Sequence, residues 1–261
     1  MMELRISVLS NAGGRSVNED AYGCWSSSTA CFCVLCDGAG GHKGGAAASK
    51  LAVEQALAWF RQRPECSAEC VTQAIEAANS AIVDAQRSMP EYSEMRTTIV
   101  VLALDSERGA AIWGHVGDSR LYCYRGRRLI MQTRDHSVLQ GMVDAGYMQL
   151  EDLRNSPQRS VLLAALGDAQ SLEPCIQPTD FAVADGDVFL LCTDGFWEHL
   201  DEARMEQALQ AAPSPQAWLS ELEGEVRARG GQQQDNYSAV LVACQEFSLA
   251  GVEGALGADQ S

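Results

Sequence analysis

Two stretches of this 261-residue chain, far apart in sequence, are built alike. In CFCVLCDGAGGHKGGAAAS, residues 31–49, an apolar run from Phe32 to Cys36 stops at Asp37-Gly38. A glycine-rich loop (Gly40, Gly41, Gly44, Gly45) then leads into small residues that open a helix. In VFLLCTDGFW, an apolar run over 188–192 passes through Thr193 into Asp194-Gly195. Short continuous apolar runs bounded by turn residues read as buried strands. A single Asp-Gly is ordinary turn chemistry. The constraint comes from the repetition: twice, a buried strand delivers a carboxylate to its own end, followed by backbone bare enough to approach a ligand closely.

The rest of the chain supplies strands and helices around these two. Residues 3–10 alternate, with Leu4, Ile6 and Val8 against Arg5 and Ser7, as in a half-buried strand, and a short strand follows at 22–25. Val53, Ala56, Leu57 and Phe60 recur at helical spacing over 43–63 until Pro64, and Val71, Ala74, Ile75, Ala78 and Ile82 do so over 67–88 until Pro90. Strands at 97–104, 110–115, 120–125 and 129–132, separated by turns, read as an antiparallel meander. A polar excursion occupies 136–157, and VLLAALG (161–167) returns to apolar character. Asp201 can cap a helix carrying Met205, Ala208, Leu209 and Ala212, and Ser214-Pro215 can start another with Leu219, Leu222 and Val226. An apolar strand at 237–243 ends the pattern. With no linker and no repeat, residues 1–245 read as one domain and 246–261, thin in large apolar residues, as a flexible tail.

Charge and cysteine content exclude several functions. With 35 acidic and 19 basic residues, a formal charge of −16 argues against a nucleic-acid partner, whose affinity comes from clustered Lys and Arg. No apolar run is long enough to cross a membrane, and the first residues lack a signal-peptide core, so a cytoplasmic protein is expected. Of ten cysteines, Cys31, Cys33 and Cys36 are the tightest group, with Cys66 and Cys70 next. On a strand Cys31 and Cys33 share one face and Cys36 takes the other, and no second pair at zinc-like spacing accompanies them. The expectation is core thiols, with neither structural zinc nor a disulfide.

Five aspartates stand at strand boundaries: Asp20, Asp37, Asp118, Asp194 and Asp235. Asp20 closes RSVNED, which also holds Arg15 and Glu19. Asp118 lies in GHVGDSR and Asp235 opens DNYSAVLV. Brought together without cations, five carboxylates would repel one another and take up protons. With hard divalent ions they become ligands, and the lack of an accompanying Cys/His set favours Mg²⁺ or Mn²⁺ over zinc. Two such ions can activate a water and clamp a phosphoryl oxygen, and Arg15 offers a fork for the remaining phosphate oxygens.

RSVNED, LCDGAGGH, GHVGDSR, CTDGFW and DNYSAVLV occur in the order of the signature blocks of the metal-dependent protein phosphatases (type 2C, PPM), and the chain resembles their bacterial single-domain members over about 1–245. The resemblance implies an α+β fold, a four-layer α-β-β-α sandwich of two antiparallel sheets flanked by helix pairs. It implies a serine/threonine protein phosphatase that uses a metal-activated water. Its substrates would be phosphorylated proteins, including a Ser/Thr kinase or its targets, and the chain would act as a monomer. Carried over, Asp37 bridges two tightly held Mn²⁺ or Mg²⁺ ions with the Gly38 carbonyl as a further ligand. Asp194 and Asp235 complete the second ion, Glu19 and Asp20 hold metal-bound waters, and Arg15 binds phosphate. Asp118 matches the aspartate of a third, weaker metal site, and 136–157 matches a flap beside the active site. Animal members carry a histidine where this chain has Ala39, so the proton donor to the leaving group is unassigned, with His42 as a nearby candidate. Two other readings stand beside this one: a catalytically silent binding module, and a phosphatase of a dedicated regulator such as an anti-sigma-factor antagonist.

Overall fold

A computed structural model describes residues 2–39, 44–149, 161–168, 172–177 and 179–246. In chain order its strands are β1 (Met2–Asn11), β2 (Ala21–Ser26), β3 (Ala30–Cys36), β4 (Gly38–Ala39), β5 (Arg96–Thr97), β6 (Ile99–Asp105), β7 (Ala110–Val116), β8 (Arg120–Arg125), β9 (Arg128–Gln132), β10 (Cys175–Ile176), β11 (Phe181–Ala182), β12 (Val188–Cys192) and β13 (Tyr237–Glu246). The described helices are α1 (Gly44–Gln62), α2 (Ala68–Ser88), α3 (Val138–Asp144), α4 (Asp194–Trp197), α5 (Glu202–Ala211) and α6 (Pro215–Gly230). One sheet runs β1-β13-β12-β8-β9. The other runs β10-β7-β6-β3-β2, with β11 also on β7, and β4 pairs with β5 alone.

Strand alternation turns these elements into layers. Along β3, Phe32, Val34 and Cys36 face α1 and α2, where they meet Val53, Leu57, Phe60 and Ile75. The Phe32 and Phe60 rings stack with centroids 3.8 Å apart. The intervening Cys31, Cys33 and Leu35 face the second sheet and meet Phe189, Leu191, Val240 and Val242. The outer face of that sheet (Tyr122, Tyr124, Leu190, Leu241) packs on Met205, Leu209, Trp218 and Leu222 of α5 and α6. The result is the expected α-β-β-α sandwich. Both β3 and β12 are buried on two faces, which explains their unbroken apolar runs. The helix starts follow their caps: the Ser67, Asp201 and Ser214 side chains accept from the backbone N–H groups of Cys70, Arg204 and Ala217.

Some elements differ from the sequence reading. The run 97–104 is broken at Thr98, which leaves the strand to bind the backbone of Asp37. VLLAALG, read only as apolar, makes bridges at Leu162 and Leu166 and backbone hydrogen bonds at Val161 and Leu163; Leu166 is buried in the core while Leu163 is 66% exposed. Two-residue strands such as β10 and β11 are too short to show alternation. The excursion 136–157 contains α3, but its end from 150 onward lies outside the described residues, as do His42 and the tail from 247. All ten cysteines are free thiols; eight are buried, Cys24 is half-buried and Cys175 is exposed.

Gly195, the second residue of α4, shows how closely the site's elements approach: a Cβ built there would lie 2.0 Å from the Asn236 carbonyl oxygen. Gly195→Ala should therefore cost about 1–3 kcal/mol by forcing β13 away. Gly224→Ala in α6, where a Cβ meets nothing within 4 Å, should instead stabilise by about 0.5–1 kcal/mol. Denaturant unfolding of both variants checks this; equal midpoints would refute the close approach.

Candidate active site

All five predicted aspartates come from one rim of the sandwich. Asp20 precedes β2, Asp37 follows β3 and Asp118 lies between β7 and β8, while Asp194 follows β12 and Asp235 precedes β13. The first two belong to one sheet and the last two to the other. A cavity of ≈ 320 Å³ is lined by Arg15, Glu19, Asp37, Gly38, Asp118, Asp194 and Asp235, with Ala39, Thr98 and Asn236 among its other walls. Asp20 does not line it. Its Oδ2 accepts from the Thr193 hydroxyl at 3.0 Å, and it stays within the field of Asp194 and Asp235.

Local hydrogen bonds fix the main chain beside several of these carboxylates. The Asp37 N–H donates to Thr98 Oγ1 at 3.0 Å, and the Asp37 carbonyl accepts from the Thr98 N–H at 2.8 Å and the Thr97 hydroxyl at 2.7 Å. Behind Asp37, Gly38 and Gly45 nearly touch: a Cβ on Gly38 would lie 2.2 Å from the Gly45 carbonyl oxygen. Asn236 ties the site's amino-terminal segment to β13. Its side chain accepts from the Glu19 N–H at 2.8 Å and donates to the Ala12 and Val17 carbonyls at 3.0 Å each.

Asp118 has the most elaborate support. Its carbonyl accepts from the Trp197 indole at 2.9 Å. Arg120, two residues on, lies over the Trp197 ring at 3.4 Å and forks onto buried Asp135 with contacts of 2.8 and 2.7 Å. Such a two-bonded, buried Arg–carboxylate pair holds its geometry closely. Sequence reasoning missed Thr98, Arg120, Asp135, Thr193, Trp197 and Asn236 as parts of this frame. Arg120, Thr193, Trp197 and Asn236 lie within blocks already singled out, so position in the motif was the available signal. Asp135 and Thr98 offered none.

The electrostatics follow from crowding and burial. Burial first, then the fields of Asp194, Asp20 and Asp118, hold the Asp37 carboxyl well above the usual carboxylate range, and Asp37 hydrogen-bonds to Asp194. Asp118 is raised well above that range in the same way, chiefly by burial and then by Asp194. Burial raises Asp20 to about 7 against the opposing hydrogen bonds from Ser238 and Thr193, and raises Asp194 to about 6. Glu19 Oε1 and Asp20 Oδ1 are buried without a hydrogen-bond partner. Buried polar atoms are normally satisfied. An all-oxygen donor set with raised proton affinity and orphaned oxygens fits hard divalent cations and their waters. Arg15 stands at the edge, with one contact of 3.0 Å to Asp235.

Residues 10–234 match the family model described as Protein phosphatase 2C. The chain belongs to the protein phosphatase 2C family. Among its relatives is the serine/threonine phosphatase stp of Listeria welshimeri, 29% identical over 214 residues, which span 80% of this chain and 82% of that protein. The crystal structure of the serine/threonine phosphatase PstP/Ppp of Mycobacterium tuberculosis superposes with a TM-score of 0.81 at 29% identity, covering 93% of this chain and 99% of that one. A structure of the PstP catalytic domain in complex with 2 manganese ions gives 0.80 at 28% identity, covering 94% and 100%. The antiparallel sandwich of this 2C-family chain is thus the fold of its relatives. At the position after the first Asp-Gly it carries Ala39, exposed and unable to donate a proton.

The raised carboxyls make the metal-free fold pH-sensitive. A folded-state pKa above the unfolded value of 3.8 means that the native state holds more protons between the two, so stability is lost as pH rises through the folded value. For Asp194 and Asp20 that window ends near about 6 and about 7. In chelator, the melting temperature should fall from about pH 4.5 to about pH 8, less steeply in Asp20→Asn, and saturating Mn²⁺ should flatten it. Calorimetric scans across this range check the sign; a chelated protein that gains stability over the window would contradict these shifts.

Proposed function

We propose that this chain hydrolyses phosphoserine and phosphothreonine in proteins, with Mn²⁺ or Mg²⁺ as cofactor. The observation that carries this is a cavity into which both sheets turn carboxylates, with a partnerless buried oxygen on Glu19 in its lining and another on Asp20 behind it. The relatives named above as serine/threonine phosphatases, and the manganese in PstP, support the substrate class and the metal.

In this reading Asp37, the Gly38 carbonyl, Asp194 and Asp235 would hold two cations, Glu19 and Asp20 would orient the surrounding waters, and Asp118 would hold a third ion weakly. When bound, the cations supply an activated water and neutralise charge for in-line displacement at phosphorus. The chain's own part is to hold these oxygens rigid and to bind the phosphate. Arg15 and Asp235 pair at 3.0 Å with side chains 53% and 44% exposed. Exposed pairs of this kind contribute about 0.2–1 kcal/mol. The guanidinium can therefore turn from Asp235 to a phosphate ester at little cost, leaving Asp235 free to act as a ligand. A silent binding module would not need this full donor set. The physiological substrates we assign to a phosphoprotein pool that includes a Ser/Thr kinase and its targets, in the cytoplasm.

Turnover of a phosphothreonine peptide with Mn²⁺ tests the assignment. Chelation, Asp37→Asn or Asp194→Asn should remove activity by several orders of magnitude. Arg15→Ala should raise KM and lower kcat/KM by about 10–1000-fold with metal affinity close to parental. Near-normal turnover by either Asp variant would refute the metal roles, and unchanged kinetics in Arg15→Ala would return that residue to a solvated loop.

A further inference from the structure

Outside the carboxylate cavity, one cluster brings soft and borderline donors together. His115 on β7 and Cys175 on the edge strand β10 are direct cross-strand partners, so their side chains leave the same face of the sheet. The chain after β9, from the opposite sheet, brings the His136 ring onto His115, with centroids 4.7 Å apart. One ligand atom from each of the three residues lies within 4.8 Å of the other two.

The hydrogen bonds leave one lone pair unused. His115 is 2% exposed, and its Nε2 contacts the Arg134 carbonyl at 2.7 Å, which makes Nε2 the protonated nitrogen. Nδ1 is then a bare acceptor, and it has no partner. An imidazole that donates one N–H to a backbone carbonyl while its other nitrogen stands free is the arrangement seen at metal-bound histidines. His136 is only loosely engaged, its Nδ1 receiving the Gly117 N–H at 3.4 Å. Burial lowers the proton affinity of both rings, His136 to about 4, further depressed by His115 and opposed by Asp135. Both imidazoles are therefore neutral, the form that ligates.

We propose that His115, His136 and Cys175 form a second metal site, separate from the carboxylate cluster and selective for a zinc-class divalent ion. Two imidazoles and a thiolate suit zinc and are poor ligands for Mg²⁺. Around tetrahedral zinc, ligand atoms lie about 3.4–3.8 Å apart, so a side-chain adjustment of roughly 1 Å at the widest pair completes the site. Cys175 is exposed and sits on an edge strand, free to make that adjustment. Three protein ligands leave the fourth position open to water, which makes the ion exchangeable. The site also lies against the machinery: the His136 backbone N–H donates to the Gly117 carbonyl at 2.9 Å, and Gly117 precedes Asp118. An ion here would stiffen that turn. The three ligands lie on three separate segments, which is why no zinc-like spacing marks them in the sequence.

Cobalt tests the proposal, because a thiolate ligand gives Co²⁺ a near-ultraviolet charge-transfer band that carboxylates do not. The full chain, stripped of metal and kept reduced without added thiol, is titrated with Co²⁺ under saturating Mg²⁺. The expected result is a band that saturates at one equivalent and is displaced by Zn²⁺. It should be absent in Cys175→Ser and His136→Ala and retained in Asp37→Asn and Cys24→Ser. Zinc affinity from the same competition should fall in Cys175→Ser by more than the roughly 10–100-fold that loss of an outer partner costs. Circular dichroism confirms that each variant is folded. No band in the parent, or a band that survives Cys175→Ser, would overturn the site and leave a stacked histidine pair beside a chance thiol.

Discussion

Carboxylates crowded into one buried rim repel each other, and most of the local structure around this cavity answers that repulsion. On top of what burial does, Asp194, Asp20 and Asp118 raise the proton affinity of Asp37, and Asp194 raises that of Asp118. Left alone, such a cluster would spread apart or stay protonated. The backbone of Asp37 is instead held by Thr97 and Thr98, and the carbonyl of Asp118 by Trp197. The segment carrying Glu19 is tied down by Asn236. Each restraint acts on the main chain beside a carboxylate and leaves the carboxylate oxygens for other partners. A fold that only needed stability would be better served by apolar residues here.

Site and sandwich are consequently inseparable. Asp37 leaves the sheet that packs on α1 and α2; Asp194 and Asp235 leave the sheet that packs on α5 and α6. Their meeting depends on the inter-sheet core built from Cys31, Cys33 and Leu35 against Leu191, Val240 and Val242. The glycines of the two Asp-Gly steps serve the same closure. Gly38 lies against Gly45, and Gly195 against Asn236, at separations that admit no side chain. These steps look like turns in sequence, yet their requirement is space between two backbones.

What was legible in the sequence was whatever is local. Strand ends that deliver an aspartate, the stripes of α1 and α2, and the helix starts at Asp201 and Ser214 are set by neighbouring residues, and the structure places them as read. The frame behind the carboxylates was not legible, because Arg120 finds Asp135 fifteen residues away and Asn236 reaches back to Ala12 and Val17. Nothing in periodicity encodes such pairings. Asp20 lies behind the cavity wall, where its Oδ2 accepts from the Thr193 hydroxyl, a placement its motif alone does not give. VLLAALG, read only as apolar, turns out divided: Leu166 is buried in the core while Val161 and Leu163 are exposed.

The central claim is that protons occupy places that divalent cations take over. Burial raises Asp20 to about 7 and holds Asp37 well above the usual carboxylate range, so the metal-free cluster retains protons that bound cations displace. Isothermal calorimetry of Mn²⁺ binding near pH 6, repeated in buffers of different ionisation enthalpy, counts the protons released. Cation occupancy of this cluster should expel protons. Binding of Mn²⁺ with no proton release would contradict the account, because it would mean the ions settle elsewhere or the carboxylates were never protonated.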